Sequence, residues 1–194
     1  MIDFIAIARE ILNYLTVFAD ALIVLLVICL LFLKLSKGGS LGQAVVKLTG
    51  LFSAKAMLWV FIVSLTATLG SLFFSEIAKF EPCKLCWFQR IFMYPLPILF
   101  LMALVRKETV IRIYALVLAI VGALIAAWHY FLQVGQMYNI DVEKLTNCSS
   151  VGYSPSCASY FFLKFGYITI PMMSLSAFVL IILILLIKLK SEKD

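Results

Sequence analysis

Five blocks of roughly 20 almost uncharged, apolar residues divide the chain, at about residues 12–33, 56–75, 86–105, 111–131 and 168–187. Each has the length that crosses a hydrocarbon layer ~30 Å thick. No water is available there for backbone N–H and C=O groups, so each block is expected to form a helix. The pattern predicts an all-α integral membrane protein with five transmembrane helices. Tyr94-Pro95-Leu96-Pro97 falls inside the third block and predicts a kink there, because proline carries no N–H and crowds the preceding turn.

Composition agrees with the pattern. The 194 residues are 64% hydrophobic and 13% charged, where soluble domains average ~45–50% and ~25%. A net charge of +6 raises nucleic acid as a partner, but the basic residues flank apolar blocks, as topology signals do, so no nucleic-acid partner is expected. Ten of them (Lys34, Lys37, Lys47, Lys55, Arg106, Lys107, Arg112, Lys188, Lys190 and Lys193) fall on one side of the predicted bundle. Arg9, Lys79, Lys84, Arg90, Lys144 and Lys164 fall on the other. The richer side is expected to be cytoplasmic, which places the N-terminus outside and the C-terminus inside a multi-pass bilayer protein. The first block lacks a positive leading segment and a small-residue cleavage site, so it is expected to be a retained helix rather than a signal peptide. The segment 36–55 mixes glycines and lysines with apolar residues and is expected along the cytoplasmic interface.

The orientation puts two close cysteine pairs, Cys83/Cys86 and Cys148/Cys157, on the oxidising side, where disulfides form and persist. Cys29 lies within an apolar block and reads as a small hydrophobe. If the third helix begins near Pro82, Cys83 and Cys86 both occupy its first turn, where unpaired N–H groups and the helix dipole favour a thiolate. A thiolate is the species that attacks disulfides or gives up electrons. The same spacing also suits a simple staple, or half of a zinc site completed by the other pair. Cys148 and Cys157 are separated by eight residues that include Gly152 and Pro155, a composition that suits a mobile loop or, equally, a loop staple.

Arg90 lies one turn beyond Cys86 on the same helical face, ~6 Å deeper. A cation within a span is a functional suspect; there it would favour a thiolate at Cys86 and polarise the oxygen of a carbonyl acceptor. Gln89 could donate a hydrogen bond to such an acceptor, or make a helix–helix contact. His129, the only histidine, is expected at the depth of the dithiol, where it could handle protons. Asp20, inside the first block, is expected to contact another helix or the outer interface.

Pro82-Cys83-Lys84-Leu85-Cys86-Trp87-Phe88-Gln89-Arg90, continuing through Met93-Tyr94-Pro95, resembles the signature of the disulfide bond formation protein B family (DsbB), nearest its Gram-positive branch (BdbC). His129-Tyr130-Phe131-Leu132-Gln133 and the stretch Phe165-Gly166-Tyr167-Ile168-Thr169-Ile170-Pro171 are similar to later parts of that family. The resemblance implies a four-helix membrane bundle at 56–190, preceded by one extra transmembrane helix and a cytoplasmic linker at 1–55 and followed by a tail at 191–194. It implies a quinone-dependent thiol:disulfide oxidoreductase of the bacterial inner membrane that reoxidises a DsbA-like thioredoxin-fold partner, the final chaperone or oxidase of substrate proteins. It also implies redox-active disulfides Cys83–Cys86 and Cys148–Cys157, with ubiquinone or menaquinone as acceptor. By that analogy the reduced partner attacks Cys148, Cys157 resolves the mixed disulfide and then exchanges with Cys83, and Cys86 is left as the thiolate facing the quinone. Arg90 would contact the quinone, His129 would sit near it, and Gln89 remains a candidate donor to the same acceptor on its position alone.

Two rival classes remain. A vitamin K epoxide reductase-like enzyme also uses four cysteines beside a quinone-like site, but its loop pair normally precedes the CxxC pair, the reverse of the order here. A non-enzymatic membrane protein with two structural disulfides or a four-cysteine zinc site differs in that its thiols would be inert or metal-bound.

Overall fold

The apolar blocks are helices in the computed structural model, which describes residues 2–35, 55–106, 110–138, 140 and 156–191. Helix α1 spans Ile2–Leu35, α2 Ala56–Leu72, α3 Lys84–Met93, α4 Pro95–Arg106, α5 Ile111–Met137 and α6 Ile170–Ser191. A π-helical turn, Phe73–Ile77, extends α2. Among the described residues, five spans are long and apolar enough to cross a membrane, with α3 and α4 together forming the third. Among the described residues there is no sheet, only an isolated bridge between Lys164 and Ile168. The segment expected along the cytoplasmic interface and the loop that carries Cys148 lie outside the described residues, apart from Lys55.

The third span breaks where the sequence predicted. The amide of Tyr94 still donates to the Arg90 carbonyl (2.9 Å). Pro95 and Pro97 have no N–H to continue the ladder, so α3 ends and α4 restarts. Helix α1 begins about ten residues earlier than its apolar block. The extra turns are anchored: Arg9 lies over the Phe162 ring (5.8 Å) and Glu10 pairs with Lys164 (3.0 Å).

The core lies between α2, α4, α5 and α6, where Val60, Leu96, Phe100, Phe178, Ile181 and Leu185 are fully buried. Buried Ala115, Ala119, Gly122 and Ala126 recur at helical spacing along α5 and let α6 approach closely. Gly122 is essential to that approach, because a Cβ there would sit 2.3 Å from Cζ of Phe178. Association in lipid depends on such packing, since hydrophobic burial offers little difference between lipid and protein.

Asp20 proves to be a helix–helix contact. Its carboxylate accepts hydrogen bonds from Ser176 Oγ (2.6 Å) on α6 and from the Tyr167 hydroxyl (3.1 Å) just before α6. Burial raises the Tyr167 phenol above its ordinary value, and the bond to Asp20 raises it further. Phe80, in the connection from the π turn to α3, stacks on Phe161 (4.6 Å) and on Phe74 (5.9 Å). These rings close the end of the bundle that carries the cysteines. A tight turn follows, with Phe165 and Gly166 in left-handed conformations (φ 52° and 77°). Ile168 N–H donates to the Lys164 carbonyl (2.9 Å) across it, and the turn delivers the chain into α6.

Candidate redox site

The site is built on the start of α3. Cys83 is the N-cap, with extended backbone (φ −72°, ψ 173°), and its carbonyl accepts from Trp87 N–H (3.2 Å). The helix therefore starts two residues later than Pro82 suggested, leaving Cys83 at the cap and Cys86 in the first turn. The two sulfurs are 3.4 Å apart, and both cysteines are free thiols.

Helix α5 contributes His129, which is fully buried. Its Nε2 lies 3.5 Å from Cys83 Sγ, and its Nδ1 lies 2.8 Å from the amide nitrogen of Gln89. An amide nitrogen can only donate, so Nδ1 accepts and the ring proton sits on Nε2, facing the sulfur. Gln89, buried on α3, thus makes the helix–helix contact and also sets the histidine tautomer. The hydrogen bond from the Cys86 thiol, with the one that the His129 ring N–H donates, lowers the Cys83 pKa from 9.0 to about 4, against burial, which raises it. The sequence placed the favoured thiolate at Cys86 through Arg90; in the dithiol the stabilising contacts fall on Cys83.

Arg90 points to α2 rather than out of the bundle mouth. Its Nε donates to Ser71 Oγ (3.0 Å) and its NH2 group to the Ser71 carbonyl (3.1 Å). The guanidinium lies over the rings of Trp87 (5.1 Å) and Tyr94 (5.9 Å), and the Tyr94 hydroxyl donates to the same Ser71 Oγ (3.2 Å). Ser71 gave no signal in the sequence: a lone serine near the end of an apolar block resembles any other.

Two cavities meet at Cys86. The larger, about 450 Å3, is walled almost entirely by apolar side chains, with Cys86, Gln89 and Arg90 at one end. Pockets for small ligands are commonly ~300–1,000 Å3 with a few placed polar groups. A quinone needs an apolar slot, hydrogen-bond donors for its ring oxygens and a thiol alongside, and these residues fit that requirement. The smaller cavity, about 20 Å3, is bordered by Cys83, Cys86, His129 and Gln133. His129, expected beside an acceptor, does not line the larger cavity; its contacts are on the Cys83 side.

Cys157 is fully buried and disulfide-bonded. It packs in one cluster with Cys83, Leu132 and Ala158, against which Leu85 and Cys86 rest. Gln133 holds this segment by donating from Nε2 to the Ser159 carbonyl (2.8 Å). The structure therefore brings Cys83, Cys86, His129, Gln89, Arg90 and Cys157 to one end of the bundle; Cys148 lies outside the described residues. The ligand atoms of Cys83, Cys86 and His129 lie within 4.8 Å of one another, close enough to share a metal ion. A four-cysteine zinc site would need Cys157 as a free thiolate, and it is disulfide-bonded.

A family model described as disulfide bond formation protein DsbB matches residues 53–188, from just before α2 to near the end of α6. The SPbeta prophage-derived disulfide bond formation protein B of Bacillus subtilis (strain 168) is 41% identical over 140 residues, 71% of this chain and 89% of the relative. Disulfide bond formation protein C of the same organism is 41% identical over 133 residues, 69% and 91% of the two chains. A probable disulfide formation protein of Metapseudomonas resinovorans is 35% identical over 131 residues, 68% and 87%. No solved structure matches. A match that covers four of the five spans, including the CxxC helix, the His129 helix and the Cys157 segment, settles the family: this chain belongs to the DsbB family of disulfide bond formation proteins.

Proposed function

We propose that the protein is a protein-disulfide:quinone oxidoreductase that reoxidises a DsbA-like thioredoxin-fold dithiol partner and passes the electrons to the membrane quinone pool. One observation carries the reading: Cys83 packs with Cys157, while Cys86 borders the large apolar cavity that also holds Gln89 and Arg90. Each sulfur of the CxxC pair thus has its own neighbour, a disulfide on one side and a slot for a lipid-soluble acceptor on the other.

The electrons balance as follows. A partner thiolate attacks Cys148 of a Cys148–Cys157 disulfide, forming a mixed disulfide and freeing Cys157. The partner's own second thiol must resolve that mixed disulfide, because attack by Cys157 would return the partner reduced. Freed Cys157 attacks Cys83 of the oxidised CxxC pair and expels Cys86 as a thiolate. Cys148 then attacks Cys157, restoring the loop disulfide and leaving Cys83 and Cys86 reduced. Cys83 and Cys86 then close to their disulfide, giving up two electrons and two protons, and a quinone held beside Cys86 by Gln89 and Arg90 would supply the oxidant for that step. His129 holds a proton against Cys83 Sγ, which stabilises the thiolate as the pair opens and closes. Arg90, fixed by Ser71, and Gln89 present N–H donors to the cavity wall at Cys86.

In this reading the cysteine-bearing end faces outward, with residues 1–55 as an added helix and linker before the catalytic bundle of 56–190. The test is turnover: purified protein with a reduced thioredoxin-fold dithiol and a quinone should consume one quinone per partner disulfide formed. No consumption, together with stoichiometric zinc on Cys83, Cys86 and His129, would favour a structural metal site instead.

A further inference from the structure

Helix α1 lies wholly outside the matched residues 53–188, yet it forms a wall of the cavity that Cys86 borders. Leu12, Leu15, Thr16, Phe18, Ala19 and Leu22 face that cavity from one side of the helix. They run along α1 for about 15 Å, since each residue rises ~1.5 Å. The opposite wall runs from Ser71 to Trp59 on α2 and from Ile170 to Ile184 on α6. The cavity is therefore a slot much longer than a quinone ring, with Gln89 and Arg90 near Cys86, scattered hydroxyls along its walls, and Trp59, Ile62, Leu180 and Ile184 toward its apolar far end.

The helix is also fixed in that place. Asp20 accepts from Ser176 and Tyr167, Glu10 pairs with Lys164, and Leu12 rests against Gly70, where a Cβ would come within 3.2 Å. A carboxylate within a span is costly unless it is paired, and here it pairs with the helix that forms the next wall. A helix anchored by polar contacts at two levels, and apolar between them on its cavity side save for Thr16, whose hydroxyl is spent on the Leu12 carbonyl (2.8 Å), is suited to hold something apolar against α2 and α6.

We infer that α1 is the tail-binding wall of the acceptor site: its Leu12–Leu22 face holds the isoprenoid chain of the quinone while the ring lies at Cys86. The inference depends on the quinone reading above and extends it to a helix outside the family match. Selectivity for tailed over tail-less acceptors follows, because the slot beyond the ring is closed by α1 rather than left to lipid.

The first experiment uses the unaltered protein. A quinone bearing an azide at the end of a short isoprenoid tail is photolysed with the full-length chain in detergent, and the labelled peptide is mapped. Label within residues 12–22 is expected; label confined to other helices overturns the proposal. The second compares KM for a long-tailed and a tail-less quinone in Ala19→Phe, which fills the slot. A rise of about tenfold for the tailed acceptor is expected, with little change for the tail-less one. The amount of quinone retained through purification should fall in parallel. Val24→Phe, on an exposed part of α1, should change none of these. Equal effects on both acceptors, or none on either, would contradict the role of α1. If the unaltered protein reduces neither quinone, the quinone reading itself fails, which is a separate outcome.

Discussion

His129 Nε2 lies 3.5 Å from Cys83 Sγ, and the ring is held there by Gln89 on its other nitrogen (2.8 Å). The imidazole thereby acts on the thiol and makes no contact with the larger cavity.

The first prediction concerns that pair. Lowering the Cys83 pKa from 9.0 to about 4 keeps that thiol ionised at neutral pH. The thiolate is present above the pKa and is lost as pH falls through it. Removing His129 should therefore raise the midpoint of thiolate formation, by roughly one pH unit, because the hydrogen bond that its ring N–H gives the thiolate is lost. Thiolate absorbance against pH in a Cys29→Ser background, with and without His129→Ala, measures this. Gln89→Leu should produce a smaller shift in the same direction, by freeing the imidazole to take the other tautomer. An unchanged midpoint in His129→Ala would remove the histidine from the thiol's control.

A second prediction follows from Ser71. Arg90 is positioned through two hydrogen bonds to that residue, one to its hydroxyl and one to its carbonyl. Arg90→Ala should raise KM for quinone about tenfold with a smaller effect on kcat, the signature of a lost binding contact. Ser71→Ala removes only the hydroxyl and should give a weaker version of the same split. Arg90→Lys should restore little, because a point charge cannot reproduce the planar fork. Steady-state kinetics at fixed partner concentration decides among these outcomes.

A third prediction concerns stability alone. Gly122→Ala drives a methyl into the buried Phe178 ring and should destabilise the bundle by roughly 1–3 kcal/mol, the usual cost of overpacking. The drop in Tm should be largely reversed in the double variant Gly122→Ala/Phe178→Leu, because the two sites share one contact. A Tm unchanged by Gly122→Ala would mean that α5 and α6 do not approach as described.

Much of this was legible in the sequence, and the reason the rest was not is specific. The five spans, the break at Tyr94 and the placement of Cys83 and Cys86 follow from apolar length, proline chemistry and a short spacing. Asp20 was legible as a helix contact, because a carboxylate in an apolar block must find donors. The partner helix was not legible, since Ser176 and Tyr167 lie about 150 residues away and carry no pattern. Nor could the sequence show which face of α1 meets the cavity: in a membrane helix both faces are apolar, and exposed Val24 and Leu25 look like inward-facing Leu22 and Ile23. Residue types alone placed His129 at the depth of the dithiol, and only the family resemblance put it near the acceptor. Its ring nitrogens turn to Cys83 and Gln89, a choice made by the register of α5 against α3.

The central claim is that Cys86 is the sulfur through which electrons leave the protein. Single-turnover mixing of pre-reduced protein with one equivalent of quinone, without oxygen, tests it most directly. The unaltered protein should lose two thiols for each quinone reduced, and Cys86→Ser should reduce essentially none, while Cys29→Ser behaves as the unaltered chain. Quinone reduction by Cys86→Ser at the unaltered rate would contradict the account.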